Sequence, residues 1–277
     1  MKERVRAQIN QRFTRSDYQV FLYDEVAKRL NDRLDIVTLG PDAILASGFG
    51  EHRLEKRFPS ASIISKIDFA HSRMLVRTNR SRFRLPWRIK VVNLCGDLSA
   101  LPLSSTSVDL VYSNLDIPFF DGCDELDDVL KEVHRVLRPG GLFIFSSLGP
   151  DTLKELRPID GTRGLRLCRH LDMHDLGDRI MGVGFADPVM EMEELKLTYS
   201  DVLALLRDVR AHGSEPFDIG EQRGLSGRAE VRWLSESLKR ERDGQIAVTT
   251  ELVFGHAWRT AERASPDGRK VIDIKVV

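Results

Sequence analysis

Two glycines separated by one residue, Gly48 and Gly50, close the apolar run AILAS. A strand that stops at Gly-x-Gly lets main chain approach a ligand closely at the carboxyl edge of a parallel sheet. Two acids follow at intervals such a ligand would need. Asp68 ends the next apolar run, about 20 residues on, where a carboxylate accepts hydrogen bonds from ribose hydroxyls. Asp97 follows the third run, in NLCGDLSALP, placed to meet an exocyclic amine. The chemistry suggested is nucleotide binding. Each residue also has a plainer reading, the glycines as a tight turn and the aspartates as helix N-caps. A dinucleotide fingerprint would require glycine three residues after Gly50, where Arg53 stands, so nicotinamide and flavin cofactors are disfavoured.

The elements that would carry these residues alternate as βαβ units do. Strands are expected at Ala43 to Ser47, Ser62 to Ile67, Ile89 to Cys95, Val108 to Ser113 and Leu142 to Leu148. Most lack two-residue alternation, as strands buried on both faces do. The clearest helix lies in ELDDVLKEVHRVLRPGG. Its apolar residues Leu126, Val129, Leu130, Val133 and Leu137 recur at helical spacing, acids crowd its start, and Pro139-Gly140-Gly141 ends it. Val20 to Leu34 reads as an amphipathic helix ahead of the first strand. After Pro150, helices are expected at Asp151 to Arg157, Met173 to Val183 and Arg228 to Arg242, with another after an N-cap at Ser200. Val189 to Tyr199 and Val248 to Trp258 read as late strands, antiparallel at the sheet edge. The expected architecture is one α/β domain with a helical insertion before its final strand.

With 42 Lys+Arg against 42 Asp+Glu, the 277-residue chain has no whole-molecule field for nucleic acid. No apolar run approaches the roughly 20 residues of a membrane span. The start MKERVRAQINQRF has no apolar core for a secretory signal, and Glu3, Asp17 and Asp24 argue against a transit peptide. Cys95, Cys123 and Cys168 lack metal spacing, so buried thiols in a reducing cytoplasm are expected. The balanced charge is nevertheless segregated. Arg73, Arg77, Arg80, Arg82, Arg84, Arg88 and Lys90 form a run without acids, whereas Asp116, Asp121, Asp124, Glu125, Asp127 and Asp128 form one without bases. Such runs are either solvated faces or steering patches, the basic one suited to an acidic partner.

The order GFG, SKIDFA, GDLSALPLSSTSVDLVYSN and HRVLRPGGLFIFSS resembles the class I S-adenosylmethionine-dependent methyltransferases from Ala43 to Leu148. The stretches GPDTLKELR, MHDLGDRIMGVGFADPVMEMEELKLTYSDVLALLRDVRAHG and ELVFGHAW lie outside that shared core. They are similar to the malonyl-[acyl-carrier protein] O-methyltransferase family, whose reaction opens pimeloyl assembly for biotin. The resemblance implies a Rossmann-like seven-stranded sheet, mostly parallel with an antiparallel edge strand and helices on both faces. It divides residues 1–277 into a lid segment (1–40), a cofactor core (41–150) and C-terminal helices and late strands (151–277). It implies S-adenosyl-L-methionine as cofactor, with Gly48 and Gly50 under the methionine part, Asp68 on the ribose, Asp97 and Leu98 on adenine, and Asn114 facing the sulfonium. It also implies that Arg157 and Tyr18 steer the substrate carboxylate, and that an acyl-carrier protein docks on the Arg73 to Lys90 run, with neither nucleic acid nor membrane as partner. Three departures stand in the same region: Ala46 where the family carries an acid, His52 where it carries a third glycine, and Asp116 in place of an apolar residue. They leave open a catalytically degenerate binding or assembly protein, or a methyltransferase with another acceptor.

Overall fold

A computed structural model describes residues 21–48, 50, 52–68, 89–120, 125–157, 167, 170–212 and 228–260. Its sheet has seven strands: β1 (Ala43–Gly48), β2 (Ile63–Asp68), β3 (Lys90–Cys95), β4 (Val108–Asn114), β5 (Leu137–Leu148), β6 (Phe185–Tyr199) and β7 (Ile246–Arg259). Their order is β3-β2-β1-β4-β5-β7-β6. Strands β1 to β5 pair in parallel, and β7 runs antiparallel to both β5 and β6. The reversed strand thus sits in the β6–β7 margin, and the carboxyl ends of the parallel strands share one edge, which is where open α/β sheets hold ligands.

Helices cover both faces. Helix α1 (Phe21–Arg33) buries Leu22, Tyr23, Val26, Ala27 and Leu30 on one face of the sheet, beside the short α2 (Leu54–Arg57). Helices α3 (Glu125–Val136) and α4 (Met173–Val183) pack on the other. In α3 the buried Leu126, Val129, Leu130 and Val133 each contribute about 1.5–3 kcal/mol of transfer free energy. Three acids, Glu125, Asp127 and Asp128, complement the positive end of its dipole. The other end of α3 is closed from a distance: the Arg259 guanidinium donates to the main-chain oxygens of His134, Arg135 and Leu137. Helices α5 (Val202–His212) and α6 (Arg228–Ser237) lie between β6 and β7 in the chain. Val202, Leu205, Val209 and Leu234 pack there against Ile246 and Val248 in a third apolar cluster.

The last pair joining β5 to β7 is Leu148 with Leu252, whereas β6 and β7 stay paired to Tyr199 and Ile246. A two-stranded arm therefore continues past the carboxyl edge, and the third cluster is built on it. No helix among the described residues is long and apolar enough to cross a membrane.

Several local expectations are corrected. Pro139-Gly140-Gly141 lies inside β5, whose register with β4 shifts there, and Gly140 takes φ +79°. Only a 3₁₀ turn, Lys154–Leu156, forms in 151–157, because Leu153 turns left-handed and its N–H goes to Thr249 of β7. The cap of α5 is Asp201, which accepts from the Ala204 N–H, and not Ser200, whose hydroxyl donates to Asp201. Helix α6 stops at Ser237, ahead of a turn in which Gly244 has φ +81° and Asp243 accepts from the Gln245 N–H. Cys95 is an exposed thiol, since β3 is the outer strand of the sheet; Cys123 and Cys168 lie outside the described residues.

Arg259→Ala should lower stability by about 1.5–3 kcal/mol, the worth of hydrogen bonds to a charged group, seen as a lower urea midpoint with unchanged slope. An unchanged midpoint would show that α3 is closed by other means. Burial holds the His134 imidazole below its ordinary value, the Arg259 charge adding to this and a backbone hydrogen bond at Gly184 partly offsetting it. Burial also lowers His256, with Glu191 opposing. Because the unfolded histidines take up protons first, their contribution is fully present above about pH 6.5 and is lost as pH falls through the lowered folded values. The urea midpoint should accordingly decline between about pH 7 and 5.5, and a flat midpoint over that interval would contradict this.

Candidate functional site

The carboxyl edge is organised around Asn114, the last residue of β4 and fully buried. Gly48 pairs with it in register. The two main chains come so close that a methyl group on Gly48, which has φ +84°, would fall inside the Asn114 carbonyl. Gly50 has φ +108°, and a Cβ there would lie 2.7 Å from the Tyr23 oxygen and 3.1 Å from Asn114 Nδ2. The Asn114 amide donates to the Tyr23 carbonyl at 3.0 Å, and its Oδ1 accepts from Ser146 Oγ at 3.0 Å. Ser146 Oγ accepts in turn from the Leu115 N–H. The side chain expected to face a reacting group therefore braces α1 against β4 and β5, and the glycines make the turn after β1 a cradle of bare main chain packed against Asn114 and Tyr23.

On the β2 side, Asp68 is 2% exposed, and its main-chain oxygen accepts from the Gly96 N–H, joining the ends of β2 and β3. Asp97 follows, its Oδ1 accepting from both the N–H and the hydroxyl of Ser99. Partial burial pushes the Asp97 carboxyl up, but these bonds outweigh it and hold the group below the ordinary carboxylate value. Leu98 is buried and lines an apolar cavity between sheet and α3, together with Ser47, Ser113, Ile117 and Phe120. The described acids of β2 and β3 and the glycine turn of β1 thus occupy neighbouring strand ends.

The structure places the three sequence departures in different surroundings. The His52 ring is 3% exposed and tilted against Tyr112 at 5.0 Å, while the Asn31 amide holds its carbonyl at 2.8 Å. It is a buried residue packed on Tyr112 of β4 and tied to α1 through Asn31. Ala46 is fully buried in the apolar face under α1. Asp116, 1% exposed, sits just beyond Asn114.

Across the edge, the segment after β5 is stitched to the projecting arm. Gly149 N–H bonds to the Glu251 carbonyl, the Glu251 carboxylate accepts from the Asp151 N–H at 2.6 Å, and Thr152 Oγ1 bridges the Glu251 main chain. Glu155 accepts from the N–H and hydroxyl of Thr249. This network delivers Arg157, half-buried, with Nη2 donating to the Thr152 carbonyl at 3.1 Å and Nε enclosed without a hydrogen-bond partner. An enclosed guanidinium N–H of this kind suits a carboxylate. Glu155 and Glu251 escaped sequence reasoning, although an acid within the apolar run ELVFGHAW is a usable signal. Tyr18 and the basic run as far as Arg88 lie outside the described residues; Lys90, the last of that run, is exposed.

The sequence matches the family described as "Methyltransferase domain" over residues 46–145. It is 40% identical to the malonyl-[acyl-carrier protein] O-methyltransferase of Gallionella capsiferriformans, over 92% of this chain and 90% of that protein. It is 38% identical to the protein of the same description from a Methylovorus species, over 99% and 95%. The chain belongs to the malonyl-[acyl-carrier protein] O-methyltransferase family. Solved structures agree on the fold of this methyltransferase. The YcgJ protein of Bacillus subtilis matches with TM-score 0.58 at 13% identity, over 84% of this chain and 99% of that one. A putative methyltransferase from Bacillus halodurans matches with TM-score 0.53 at 13% identity, over 84% and 100%. The cofactor implied by the family is S-adenosyl-L-methionine, and the edge fits it. Glycine at 48 and 50 leaves bare main chain at the end of β1, where any Cβ would collide with Asn114 or Tyr23, and the carboxylate of Asp68 at the next strand end suits ribose hydroxyls.

Gly48→Ala and Gly140→Ala separate close approach from backbone strain. Gly140 also has positive φ but open space around it, so its exchange should cost only the ~1–2 kcal/mol of a left-handed residue. Gly48→Ala should cost clearly more and abolish cofactor binding in calorimetry. Equal costs, with binding intact, would contradict the close approach.

Proposed function

We propose that the protein transfers a methyl group from S-adenosyl-L-methionine to the free carboxylate of a malonyl-acyl-carrier protein, the opening step of pimeloyl assembly for biotin. The observation that carries the reading is the 40% identity spanning nine-tenths of a relative so described, including the arm and helices beyond the shared core. On this reading residues 1–277 are one catalytic unit, with 1–40 as its lid segment.

When bound, the cofactor supplies an electrophilic methyl group on a sulfonium. Gly48 and Gly50 would pass beneath its amino-acid part, Asp68 would hold the ribose, and Asp97 and Leu98 the adenine. Asn114 would act by fixing the cradle's shape through Tyr23 and Ser146. A carboxylate is already nucleophilic at neutral pH, so no proton need be moved. The protein's task is orientation and exclusion of water around an in-line attack. Arg157 would orient the malonyl carboxylate through its enclosed Nε–H, held in place by the Glu251 and Glu155 network, and Tyr18 would close on it from the lid. The carrier protein, an acidic partner, would dock on the Arg73 to Lys90 run. The cytoplasm is the compartment that goes with this reading and with the free thiol of Cys95.

Purified protein, methyl-labelled S-adenosylmethionine and malonyl-acyl-carrier protein should yield a base-labile methyl ester on the carrier. No transfer by well-folded protein would sink the assignment. Arg157→Gln should lower kcat/KM for the carrier substrate by about 10- to 100-fold, the loss of a charge-assisted hydrogen bond, while cofactor affinity stays constant. Unchanged kcat/KM would remove Arg157 from the substrate site.

A further inference from the structure

Glu132 and Arg135 stand one turn apart near the end of α3, and the guanidinium grips the carboxylate at two points, Nε to Oε1 at 2.7 Å and Nη2 to Oε2 at 2.8 Å. A pair of this kind on a helix surface contributes little by itself. This one reaches beyond the helix, to main chain 31 to 34 residues earlier. Glu132 Oε2 accepts from the Leu101 N–H at 2.7 Å, Arg135 Nη2 donates to the Leu101 carbonyl at 3.1 Å, and Nη1 donates to the Leu103 carbonyl at 2.8 Å. Both main-chain groups of Leu101 are thus taken by one ion pair, much as a neighbouring strand would take them. The Arg135 guanidinium, joined by the Leu101 N–H, holds the Glu132 carboxyl below its ordinary value against the opposing effect of partial burial, so the pair is charged at neutral pH.

Leu101 matters for what precedes it. Asp97 to Ala100 form a turn closed on itself, in which the Ala100 N–H donates to the Asp97 main-chain oxygen at 3.2 Å and Asp97 Oδ1 takes the N–H and hydroxyl of Ser99. Internal bonds keep the shape of such a turn, but its orientation is set where its ends are tied. One end is tied to β2, through the Gly96 N–H on the Asp68 carbonyl at 3.1 Å; the other is Leu101. Leu98 and Leu101 also sit among Val129 and Val133 of α3, but apolar contact is non-directional, whereas the hydrogen bonds fix an angle. We propose that Glu132 and Arg135 are positioning residues for the adenine end of the cofactor, setting through Leu101 the pose of Asp97 and Leu98 and with it the preference for a 6-amino over a 6-oxo purine. The inference rests on the cofactor reading above, in which Asp97 and Leu98 hold adenine, and adds two residues that act through the turn. A carboxylate acceptor matches an exocyclic amine and opposes a carbonyl oxygen, and that discrimination requires the acceptor to be held in place.

Calorimetry on the full chain with S-adenosylhomocysteine and its 6-oxo analogue, S-inosylhomocysteine, tests this without turnover. The unaltered protein should bind the 6-amino ligand at least about 10-fold more tightly. Arg135→Ala should raise the Kd for S-adenosylhomocysteine about 10-fold and that for the 6-oxo ligand less than about 2-fold, so that the preference collapses. Equal weakening of both, as a merely structural residue would give, or no weakening of either, overturns the proposal. Should that variant not fold, Arg135→Lys, which keeps the charge but not the planar fork, carries the same expectation and the same refutation. Equal binding of the two ligands by the unaltered protein would instead overturn the adenine reading on which the proposal rests, and binding of neither would overturn the cofactor reading, so the failures are distinguishable.

Discussion

The amide of Asn114 meets the Tyr23 carbonyl and the Ser146 hydroxyl where no water reaches, and the glycine turn, the covering helix and the fifth strand all take their positions from it. In so enclosed a place an unmade hydrogen bond costs about 1–3 kcal/mol, so the three elements are held in one arrangement. The same residue presses its main chain against Gly48, which forbids any side chain there. A turn of bare main chain at the strand ends is thus a consequence of packing. The cradle exists because β1 and β4 approach closely and α1 is tied down beside them.

Two further constraints shape what the edge can do. The arm formed by β6 and β7 outruns β5 and supplies a wall that the parallel sheet alone would lack. Its partnership with residues 149–157 uses two carboxylates, Glu155 and Glu251, that accept main-chain N–H groups. On the other face of β6 and β7, where β5 still pairs with β7, Arg33 bonds to Glu191 and Glu193 while its guanidinium lies 3.7 Å over the Phe254 ring. Arg29 also reaches Glu193. Helix α1 is therefore fastened at one end to the glycine cradle and at the other to β6. A shift of the helix would be felt at both the cradle and β6.

Much of this was legible in the sequence. The apolar runs marked the parallel strands to within a few residues because burial on both faces permits little else, and the 3.6-residue spacing of α3 left no alternative. Gly48 and Asp68 stood out because each type has a specific use at a strand end. What was not legible depends on closure between distant segments. Nothing near Asn114 says that its amide will meet Tyr23, 91 residues earlier. Nothing near His52 says that its ring will pack against Tyr112 of β4. Ser200 and Asp201 are both competent caps, and the choice fell to the one whose carboxylate reaches the Ala204 N–H. Cys95 was expected to be buried, and its strand proved to be the outermost.

A crystal structure of the full chain with S-adenosylhomocysteine bound bears most directly on the site. The ligand's ribose should lie against Asp68 and its amino-acid end over Gly48 and Gly50, with Asn114 still donating to the Tyr23 carbonyl. A ligand bound elsewhere, or a cradle that opens by breaking the Asn114–Tyr23 bond, would contradict the site described here.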